Sequence, residues 1–452
     1  MTTKKTNKKS SEKKNYKEFD LTNWKYTNKK YVGDNYVIKH RTQTDVYKFS
    51  MGQAVFHQHP NVWDTWEFKL RTKGVNIAPM YNDVIREINH ITTLNFTEWE
   101  LAGIKKKLPW LSDDYFDHLE DHKLKAKYIH VEQLKDGLSI WAEGPKLNVM
   151  WWEIYILQII QHLYFADEEL DFEKAKKNLY ECIKKWNEAY RNGVKFTISD
   201  FGIRRSIDDD WNEYLVRTML DLCPAFVGTS NMYLAIKLDC KAIGTFAHEL
   251  YALYQGLDYI PLEKAQTAVL DDWAKEFRGS LGIALSDNFG FKAFLRDFDP
   301  YYAKLFDGCR HDSGDPIKWG EMLIDHYLNK CKIDPKTKVA CFSDSLNVDK
   351  SIEIAKHFNG RINVSFGIGT FLCATMLGTK KKPLSMVMKV VKVNGKDVVK
   401  LSDTEGKGMC HNEDVIEHTK KVFDYQSIDD MDVTVYTPNK VVLPATKQRE
   451  DN

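Results

Sequence analysis

Seven clusters of small and charged residues punctuate the second half of this chain and hold most of the side chains that could do chemistry. Each cluster closes a short apolar run and precedes a helical pattern. The runs with their clusters are FTISDFG (196–202), AFVGTSN (225–231), AIGTFAHE (242–249), IALSDN (283–288), FDGCRHDSGD (306–315), VACFSDS (339–345) and INVSFGIGT (362–370). Gly, Ser and Asp end many strands for structural reasons alone, but this explains less well why so many clusters also contain Asp, Arg or His together.

The charged members of these clusters favour binding of a phosphorylated ligand. Five aspartates follow the runs: Asp200, Asp287, Asp312, Asp315 and Asp344. Because like charges repel, so many carboxylates need cations or basic neighbours, and Mg²⁺ bridging a polyphosphate would satisfy them. Three arginines lie beside the clusters: Arg204, Arg205 and Arg310. A guanidinium group binds phosphate or carboxylate through two hydrogen bonds, although a surface ion pair is an equally common role for a single arginine.

Three further side chains could contact a substrate. His248 stands in a strand-end loop and could act as a base or a nucleophile, although most isolated histidines do neither. Tyr47 and Phe201 could stack on a flat ligand, although packing in a core is the commoner fate of an aromatic ring.

The stretch GIGT contributes Gly367, Gly369 and Thr370 after an apolar run. Backbone N–H groups in such a loop can surround a phosphate, and the amino end of a following helix adds a favourable field. The pattern GxxxxGK[ST] does not occur, so we do not expect a P-loop nucleotidase.

The spacing of the runs predicts the scaffold that would bring these side chains together. Their starts lie 17 to 41 residues apart, which mostly suits one strand, one loop and one helix. Repeated units of this kind predict an α/β protein with a parallel sheet, and about seven units predict an irregular (β/α) barrel with its strand-end loops on one face. We place this barrel-like domain at residues 149–377, with helices predicted at Val149–Phe165 and Glu173–Arg191.

A second, split α/β domain is predicted from the flanking segments 16–148 and 378–452. Asp136-Gly137 and Asn394-Gly395 each separate two strand-like runs, as in a β-hairpin, and Val433–Tyr436 has the pattern of another strand.

Composition narrows the functional class. The 452 residues are 43% hydrophobic, which is ample for a large core. The formal charge is +1, and residues 1–15 contribute +5, so the remainder is slightly acidic at −4. We therefore expect a disordered basic tail at 1–15 and no nucleic-acid partner.

We expect neither a secretion signal nor a membrane partner, because the basic start has no apolar run behind it and the most apolar stretch is interrupted by polar residues. The eight cysteines form no CxxC pair and indicate reduced thiols in the cytoplasm. From the residues alone, the chain is expected to be a cytoplasmic barrel enzyme that handles a phosphorylated small molecule with Mg²⁺.

Taken together, the motifs resemble those of the nicotinate phosphoribosyltransferase family, in order from about residue 40 to 425. The matching stretches are TDVYK (44–48), SDFGIRR (199–205), GTSN (228–231), GTFAHE (244–249), RHDSGDP (310–316), FSDSLN (342–347), FGIGT (366–370), KPLSMVMKVV (382–391) and KLSD (400–403). The resemblance implies an enzyme of NAD salvage that joins nicotinate to 5-phosphoribosyl 1-diphosphate (PRPP) and releases pyrophosphate. It also implies Mg²⁺ as cofactor and ATP as co-substrate, whose hydrolysis is coupled through a transient phosphohistidine.

The resemblance implies a role for each matched residue. His248 would carry the phosphoryl group, and Asp287 and Asp312 would orient it or the Mg²⁺–pyrophosphate, with Asp312 as a candidate metal ligand. Nicotinate would be held by Tyr47, Phe201, Ser230, Thr245 and Arg310. The phosphoribosyl group would be held by Arg204, Asp344, Gly367, Gly369 and Thr370.

Two of these positions bear on assembly and specificity. In relatives the counterpart of Tyr47 reaches in from the neighbouring subunit, which implies a homodimer with shared active sites. The related nicotinamide enzyme carries an aspartate at the position of Ser230, where it accepts from the amide NH₂. Because an aspartate would repel the carboxylate of nicotinate and a serine would not, Ser230 favours the acid.

Three alternatives remain open. The first is nicotinamide phosphoribosyltransferase, the same reaction on the amide. The second is a phosphosugar lyase or aldolase on a similar barrel, which would need a Schiff-base lysine or an enolate-stabilising metal site. Between 196 and 370 the strand-end clusters contain no lysine, and only Lys195 stands at the start of a run. The third is a non-catalytic metabolite-binding protein, which the set of His248, Arg310 and Asp312 argues against.

Overall fold

A computed structural model of the chain describes residues 31, 33–402 and 410–431. Its strands are β1 (Trp63–Leu70), β2 (Ile129–Gln133), β3 (Leu138–Pro145), β4 (Thr197–Asp200), β5 (Phe226–Thr229), β6 (Lys241–Ala242), β7 (Ile283–Leu285), β8 (Gly308–His311), β9 (Val339–Phe342), β10 (Asn363–Ile368), β11 (Met386–Val393) and β12 (Lys396–Asp397). Its α-helices are α1 (Tyr47–Gln58), α2 (Tyr81–Ile91), α3 (Glu98–Lys107), α4 (Asp113–Asp121), α5 (Lys146–Val149), α6 (Trp152–Phe165), α7 (Phe172–Arg191), α8 (Asp209–Leu222), α9 (Met232–Lys237), α10 (His248–Gln255), α11 (Ala265–Phe277), α12 (Phe291–Asp297), α13 (Pro300–Leu305), α14 (Pro316–Asp325), α15 (Val348–Phe358), α16 (Thr370–Cys373) and α17 (Glu413–Phe423).

The seven predicted strand–loop–helix units form one parallel sheet, as expected for the α/β class. Its strand order is β6-β5-β4-β10-β9-β8-β7. Six of the strands lie within the predicted runs, and β6 begins one residue before its run, at Lys241. Most residues of these strands are buried, as expected for a parallel sheet that is covered on both faces. Because all strands point the same way, their carboxyl ends and the polar clusters that follow lie at one edge of the sheet.

The sheet curls but does not close into a complete barrel. In the part of the chain that is described, β6 and β7 are the outer strands and do not pair with each other. They are only two and three residues long, which leaves few backbone groups for a further ladder. The gap is spanned by a side chain, because the Thr245 hydroxyl donates to the carbonyl oxygen of Ile283 at 2.8 Å.

A second sheet is antiparallel and draws its strands from both ends of the chain, in the order β12-β11-β1-β3-β2. Long-range pairing of β1 with β11 joins residues 64–70 to 386–393. The boundaries predicted for the split domain stay a prediction, and the tail 1–15 and the strand predicted at Val433–Tyr436 lie outside the described residues.

The local predictions hold with small changes. Asn394 and Gly395 have φ of 50° and 79° and connect β11 to β12, as the Asn-Gly pair predicts for a hairpin. The hairpin around Asp136-Gly137 forms with a longer loop, in which the Leu134 N–H donates to the Gly137 carbonyl. The helix predicted from Val149 is divided between α5 and α6.

The interior is a single extensive hydrophobic core that includes residues of both sheets. All eight cysteines are unpaired, and six of them are buried. Within the described ranges, no helix combines the length and the apolar character that crossing a bilayer requires.

Candidate active site

Three predicted catalytic residues meet at the carboxyl edge of the parallel sheet. His248 is the first residue of α10, whereas Asp287 and Asp312 follow β7 and β8. The Nε2 atom of His248 lies 2.7 Å from Oδ1 of Asp287 and 3.8 Å from Oδ2 of Asp312. Side chains from three distant segments thus surround one point.

Hydrogen bonds hold the two carboxylates in place. The Ser313 hydroxyl donates to Oδ2 of Asp287 at 2.7 Å, and the Ser343 hydroxyl donates to Oδ1 of Asp312 at 2.9 Å. Both serines belong to the loops that follow β8 and β9, so neighbouring loops support each other. This arrangement leaves Oδ1 of Asp287 to accept from His248.

Lys400 completes the cluster, and the sequence did not reveal it. Its Nζ atom lies 3.2 Å from Oδ2 of Asp287 and 3.7 Å from Oδ2 of Asp312, and its side chain is 8% exposed. Gln255, at the end of α10, brings it there by exchanging two hydrogen bonds of 2.9 Å with the backbone of Val399. In the sequence, Lys400 is marked only as the first residue of KLSD, one of the stretches that resemble the family.

The charges of this cluster set its protonation states. Burial, reinforced by the positive charge of Lys400, lowers the pKa of His248 to about 4, so the imidazole is neutral near pH 7. Burial alone would raise the pKa of Asp287, but Lys400 and His248 hold it well below its usual range. The site therefore pairs a neutral imidazole with an ionised carboxylate.

Arg310 reaches the same cluster from β8. Although burial opposes it, Arg310 is the first of the cations that hold the pKa of Asp312 below its usual value. Its Nε atom is buried and has no hydrogen-bond partner among the residues that the structure describes. An unpaired buried donor is costly, so an anionic ligand would stabilise this position.

Lys389 adds a further cation to the cleft. It lines the same cavity as Arg204, His248 and Lys400. Burial and the nearby charges of Lys400 and Arg71 lower the pKa of Lys389 to about 7. Its position on β11, in the antiparallel sheet, explains why the strand-end patterns did not indicate it.

Arg204 also lines the cleft, with its side chain 40% exposed. Its Nε atom is 3.3 Å from Oδ2 of Asp45, and its Nη1 atom is 3.4 Å from Oε1 of Glu153. The Tyr47 ring centroid lies 5.9 Å from the guanidinium carbon, and the Tyr47 hydroxyl donates to Glu153 at 3.4 Å. Tyr47 and Arg204 of one chain are therefore neighbours.

The Ser230 hydroxyl already forms a hydrogen bond within the protein. Its hydroxyl donates to Oδ1 of Asp45 at 2.6 Å, and the side chain is buried. Burial raises the pKa of Asp45, against the opposing effect of Arg204. An aspartate at position 230 would place a second carboxylate beside Asp45.

The Phe201 ring packs on the phosphate loop predicted from the sequence. A side chain at Gly367 would meet the ring at 2.2 Å, and one at Gly369 would meet the Phe201 carbonyl oxygen at 2.9 Å. Both glycines are thus required by the close approach of Phe201. The Phe201 ring therefore packs directly against Gly367.

The helix expected after the phosphate loop is only one turn. Gly367 belongs to strand β10, and Thr370 begins the four-residue helix α16. The expected field of a long helix is therefore reduced, because only a few aligned peptide dipoles contribute.

The remaining predicted positions are peripheral or already bonded. Asp344 follows β9, is partly buried and accepts from the Ser345 hydroxyl at 3.0 Å. The Thr245 hydroxyl donates to the Ile283 carbonyl oxygen between the two outer strands. Asp315 caps α14 by accepting from the N–H groups of Ile317 and Lys318, so it has a structural role.

A magnesium ion fits this donor set through substrate oxygens. One ligand atom from each of His248, Asp287 and Asp312 lies within 4.8 Å of the others. Mg²⁺ prefers oxygen ligands and usually shares them with substrate phosphates. The Lys400 ammonium group already pairs with both carboxylates, so a diphosphate-bound ion held by the partly exposed Asp312 suits the site better than a protein-only cage.

Known proteins resemble the whole of this arrangement. Residues 42–161 match the nicotinate phosphoribosyltransferase (NAPRTase) N-terminal domain, and residues 196–427 match the nicotinate phosphoribosyltransferase (NAPRTase) family. The chain belongs to the nicotinate phosphoribosyltransferase family. These two ranges contain every site residue named above, which confirms the resemblance inferred from the motifs.

Relatives in the NAPRTase family are similar over almost their entire length. The nicotinate phosphoribosyltransferase of Acinetobacter baumannii is 40% identical over 405 residues, which are 87% of this chain and 99% of that protein. The enzyme of Neisseria meningitidis serogroup C is 41% identical over 398 residues, which are 86% of this chain and 98% of that protein.

Solved structures of NAPRTase proteins share the fold. The crystal structure of nicotinate phosphoribosyltransferase from Vibrio cholerae has a TM-score of 0.82 at 30% identity and covers 87% of this chain and 95% of its own. The structure from Porphyromonas gingivalis has a TM-score of 0.79 at 30% identity, and the match covers 86% of this chain and 100% of that one. The predicted fold class is confirmed.

Proposed function

We propose that this chain transfers the 5-phosphoribosyl group of PRPP to the ring nitrogen of nicotinate, the reaction for which its family is named. The observation that carries the proposal is that four basic side chains, Arg204, Arg310, Lys389 and Lys400, converge with Asp287, Asp312 and His248 at one cleft. Both substrates are anions, and the departing pyrophosphate is an anion too, so a cationic cleft suits them.

Bond making and breaking need no protein nucleophile. The pyridine nitrogen attacks C1 of the ribose as the bond from C1 to pyrophosphate breaks, which develops positive charge at C1 and negative charge on the leaving group. Mg²⁺ bound to the diphosphate, with Asp312 as its protein ligand, would neutralise the leaving group. Arg204 and Lys389 would bind phosphate oxygens, and a carboxylate near C1 would stabilise the positive charge.

Nicotinate would bind between Phe201 and Arg310. The unpaired Nε donor of Arg310 suits the substrate carboxylate, and the Phe201 ring, braced on Gly367, suits the flat pyridine. Asp344 would face the ribose, and Gly369 and Thr370 would contact the ribose phosphate. Ser230 and Thr245 would act as supports, since each donates its proton to another group of the protein.

His248 would accept a phosphoryl group from ATP. The neutral imidazole, whose Nε2–H faces Asp287, retains a lone pair on its other nitrogen. Lys400, 3.2 Å from Asp287, is a cation close enough to offset the charge that phosphorylation adds. Hydrolysis of this phosphohistidine would be coupled to product release or substrate binding at the same cleft.

The decisive experiment incubates the purified protein with radiolabelled nicotinate, PRPP, Mg²⁺ and ATP, and omits each in turn. Formation of nicotinate mononucleotide that requires PRPP and Mg²⁺ and is stimulated by ATP is expected. Absence of product from the complete mixture would contradict the proposal. Borohydride trapping of a phosphosugar on the protein would favour the lyase or aldolase alternative instead.

Competition between nicotinate and nicotinamide tests the second candidate function. Ser230 favours the acid, because position 230 lacks the aspartate that would accept from an amide. A clear preference for nicotinamide would overturn this assignment. We further infer a cytoplasmic homodimer with shared active sites, and sedimentation equilibrium together with complementation between two inactive variants would test it.

A further inference from the structure

Lys48 is a buried cation to which the sequence motifs assign no role. It lies on α1, is 0% exposed, and its Nζ atom is 2.7 Å from Oε2 of Glu153 and 2.9 Å from Oε2 of Glu249. The Trp66 ring centroid is 4.8 Å away. Glu153, Glu249 and Trp66 line the cleft, but Lys48 lies behind them and does not.

The two partners of Lys48 adjoin different residues of the candidate site. Glu249 directly follows His248 in the first turn of α10. Glu153, on α6, contacts Arg204, the proposed phosphate ligand. One ammonium group therefore connects the segment that holds the proposed phosphohistidine with the carboxylate that holds the arginine.

The balance of charge determines how firmly Arg204 is held. Glu153 has two cationic neighbours, Lys48 at 2.7 Å and Arg204 at 3.4 Å. A buried carboxylate that loses one cation is drawn more strongly to the other, because unpaired charge in the interior is costly. Without Lys48, Arg204 would become the main counter-ion of Glu153 and would be less available to a ligand phosphate.

We propose that Lys48 is a positioning residue for phosphoribosyl transfer, which keeps Arg204 available to substrate phosphate by neutralising Glu153 and fixes the first turn of α10 through Glu249. The inference rests on the proposed function, since it takes Arg204 as a ligand of PRPP. Lys48 would thus affect the binding of PRPP specifically, although it does not contact the substrate.

The test measures binding of Mg²⁺–PRPP by calorimetry and the KM values of both substrates. Lys48→Met should weaken PRPP binding about tenfold or more, while the nicotinate KM changes less than about threefold. Lys48→Met combined with Glu153→Gln should restore PRPP affinity to that of Glu153→Gln alone, because the amide no longer captures Arg204. Lys48→Met combined with Glu249→Gln should stay weak.

Lys146 provides a matched control. It is equally buried, lies 5.7 Å from the same Trp66 ring and pairs with Asp64 at 2.6 Å. Lys146→Met should lower the thermal midpoint without changing PRPP affinity.

A purely structural role for Lys48 would make the effects of Lys48→Met and Glu153→Gln additive, and that result would overturn the inference. If Lys48→Met alone does not fold, the comparison of Glu153→Gln with the double variant decides, and unequal PRPP affinities contradict the inference. Calorimetry measures PRPP binding without turnover, so the test of Lys48 does not depend on the reaction. A wild-type protein that binds PRPP but forms no nucleotide contradicts the proposed function, whereas a Lys48→Met variant with unchanged PRPP affinity contradicts only the role of Lys48.

Discussion

The Lys400 ammonium nitrogen lies 3.2 Å from Oδ2 of Asp287, the carboxylate whose other oxygen accepts a hydrogen bond from His248. Two residues 113 positions apart in the chain therefore form one charged pair next to the imidazole. Because a cation beside the histidine penalises its protonated form, Lys400 contributes directly to keeping His248 neutral.

Replacement of Lys400 by Met should raise the pKa of His248 above its value of about 4. A histidine with a lowered pKa is neutral above that value and gains its proton as the pH falls through it. Loss of Lys400 moves that transition to higher pH, so the acid limb of kcat should also shift upward. NMR titration of the His248 ring in both proteins measures the shift, and an unchanged or lower pKa would refute the electrostatic role.

His248→Asn should uncouple ATP hydrolysis from nucleotide formation. Asparagine can still donate to Asp287 but cannot carry a phosphoryl group, so PRPP-driven product should form at a residual rate without ATP consumption. The ratio of ADP to nicotinate mononucleotide reports the coupling. His357→Asn is a suitable control, because His357 pairs with Glu321 away from the cleft and should keep the ratio of the wild type. Stoichiometric ATP hydrolysis by His248→Asn would show that another residue is phosphorylated.

Arg310→Ala should affect nicotinate far more than PRPP. The lost charge-assisted hydrogen bonds contribute about 1.5–3 kcal/mol each, which corresponds to an increase in the nicotinate KM of about tenfold or more. Steady-state kinetics with each substrate varied in turn separates the two KM values. Equal increases in both would place Arg310 outside the nicotinate subsite, and Arg310→Lys should recover only part of the loss, since it lacks the planar fork.

Gly367→Ala should displace the Phe201 ring, because the added methyl group would lie 2.2 Å from it. We expect a destabilisation of about 1–3 kcal/mol and a raised nicotinate KM, as in other overpacked sites. Gly137→Ala provides the control, since no atom lies within 4 Å of a methyl group there. Thermal unfolding and nicotinate kinetics of both variants make the comparison, and a nicotinate KM equal to that of the wild type would separate Phe201 from substrate binding.

Local sequence patterns predicted much of the fold. Each strand of the parallel sheet matches one of the seven runs to within one residue, and the Asn394-Gly395 turn adopts the two positive φ angles that this dipeptide favours. Asn347 caps α15 by accepting from the Lys350 N–H, as the polar residue before an apolar periodic stretch predicts. These features depend on neighbours a few residues away, so their determinants lie within short stretches of sequence.

The same patterns predicted a barrel-like sheet but did not indicate where it stays open. Among the described strands, β6 and β7 remain apart, and the Thr245 hydroxyl contacts the Ile283 carbonyl oxygen between them. Closure depends on strand length and stagger across the whole sheet. A repeating local pattern contains little of that information.

By itself, the sequence determined which segments become strands, which polar clusters follow them, and through the ordered motifs the family to which the chain belongs. Only the tertiary structure decided that Lys389 enters the cleft from the other sheet and Lys400 from the segment after β12, and that Lys48 links Glu153 to Glu249 behind it. Secondary structure arises from interactions along the chain, whereas these ion pairs join residues that are between about 100 and 200 positions apart. Such pairs have no periodic or local signature, because the free energy that stabilises them exists only once the core has excluded water around the charges.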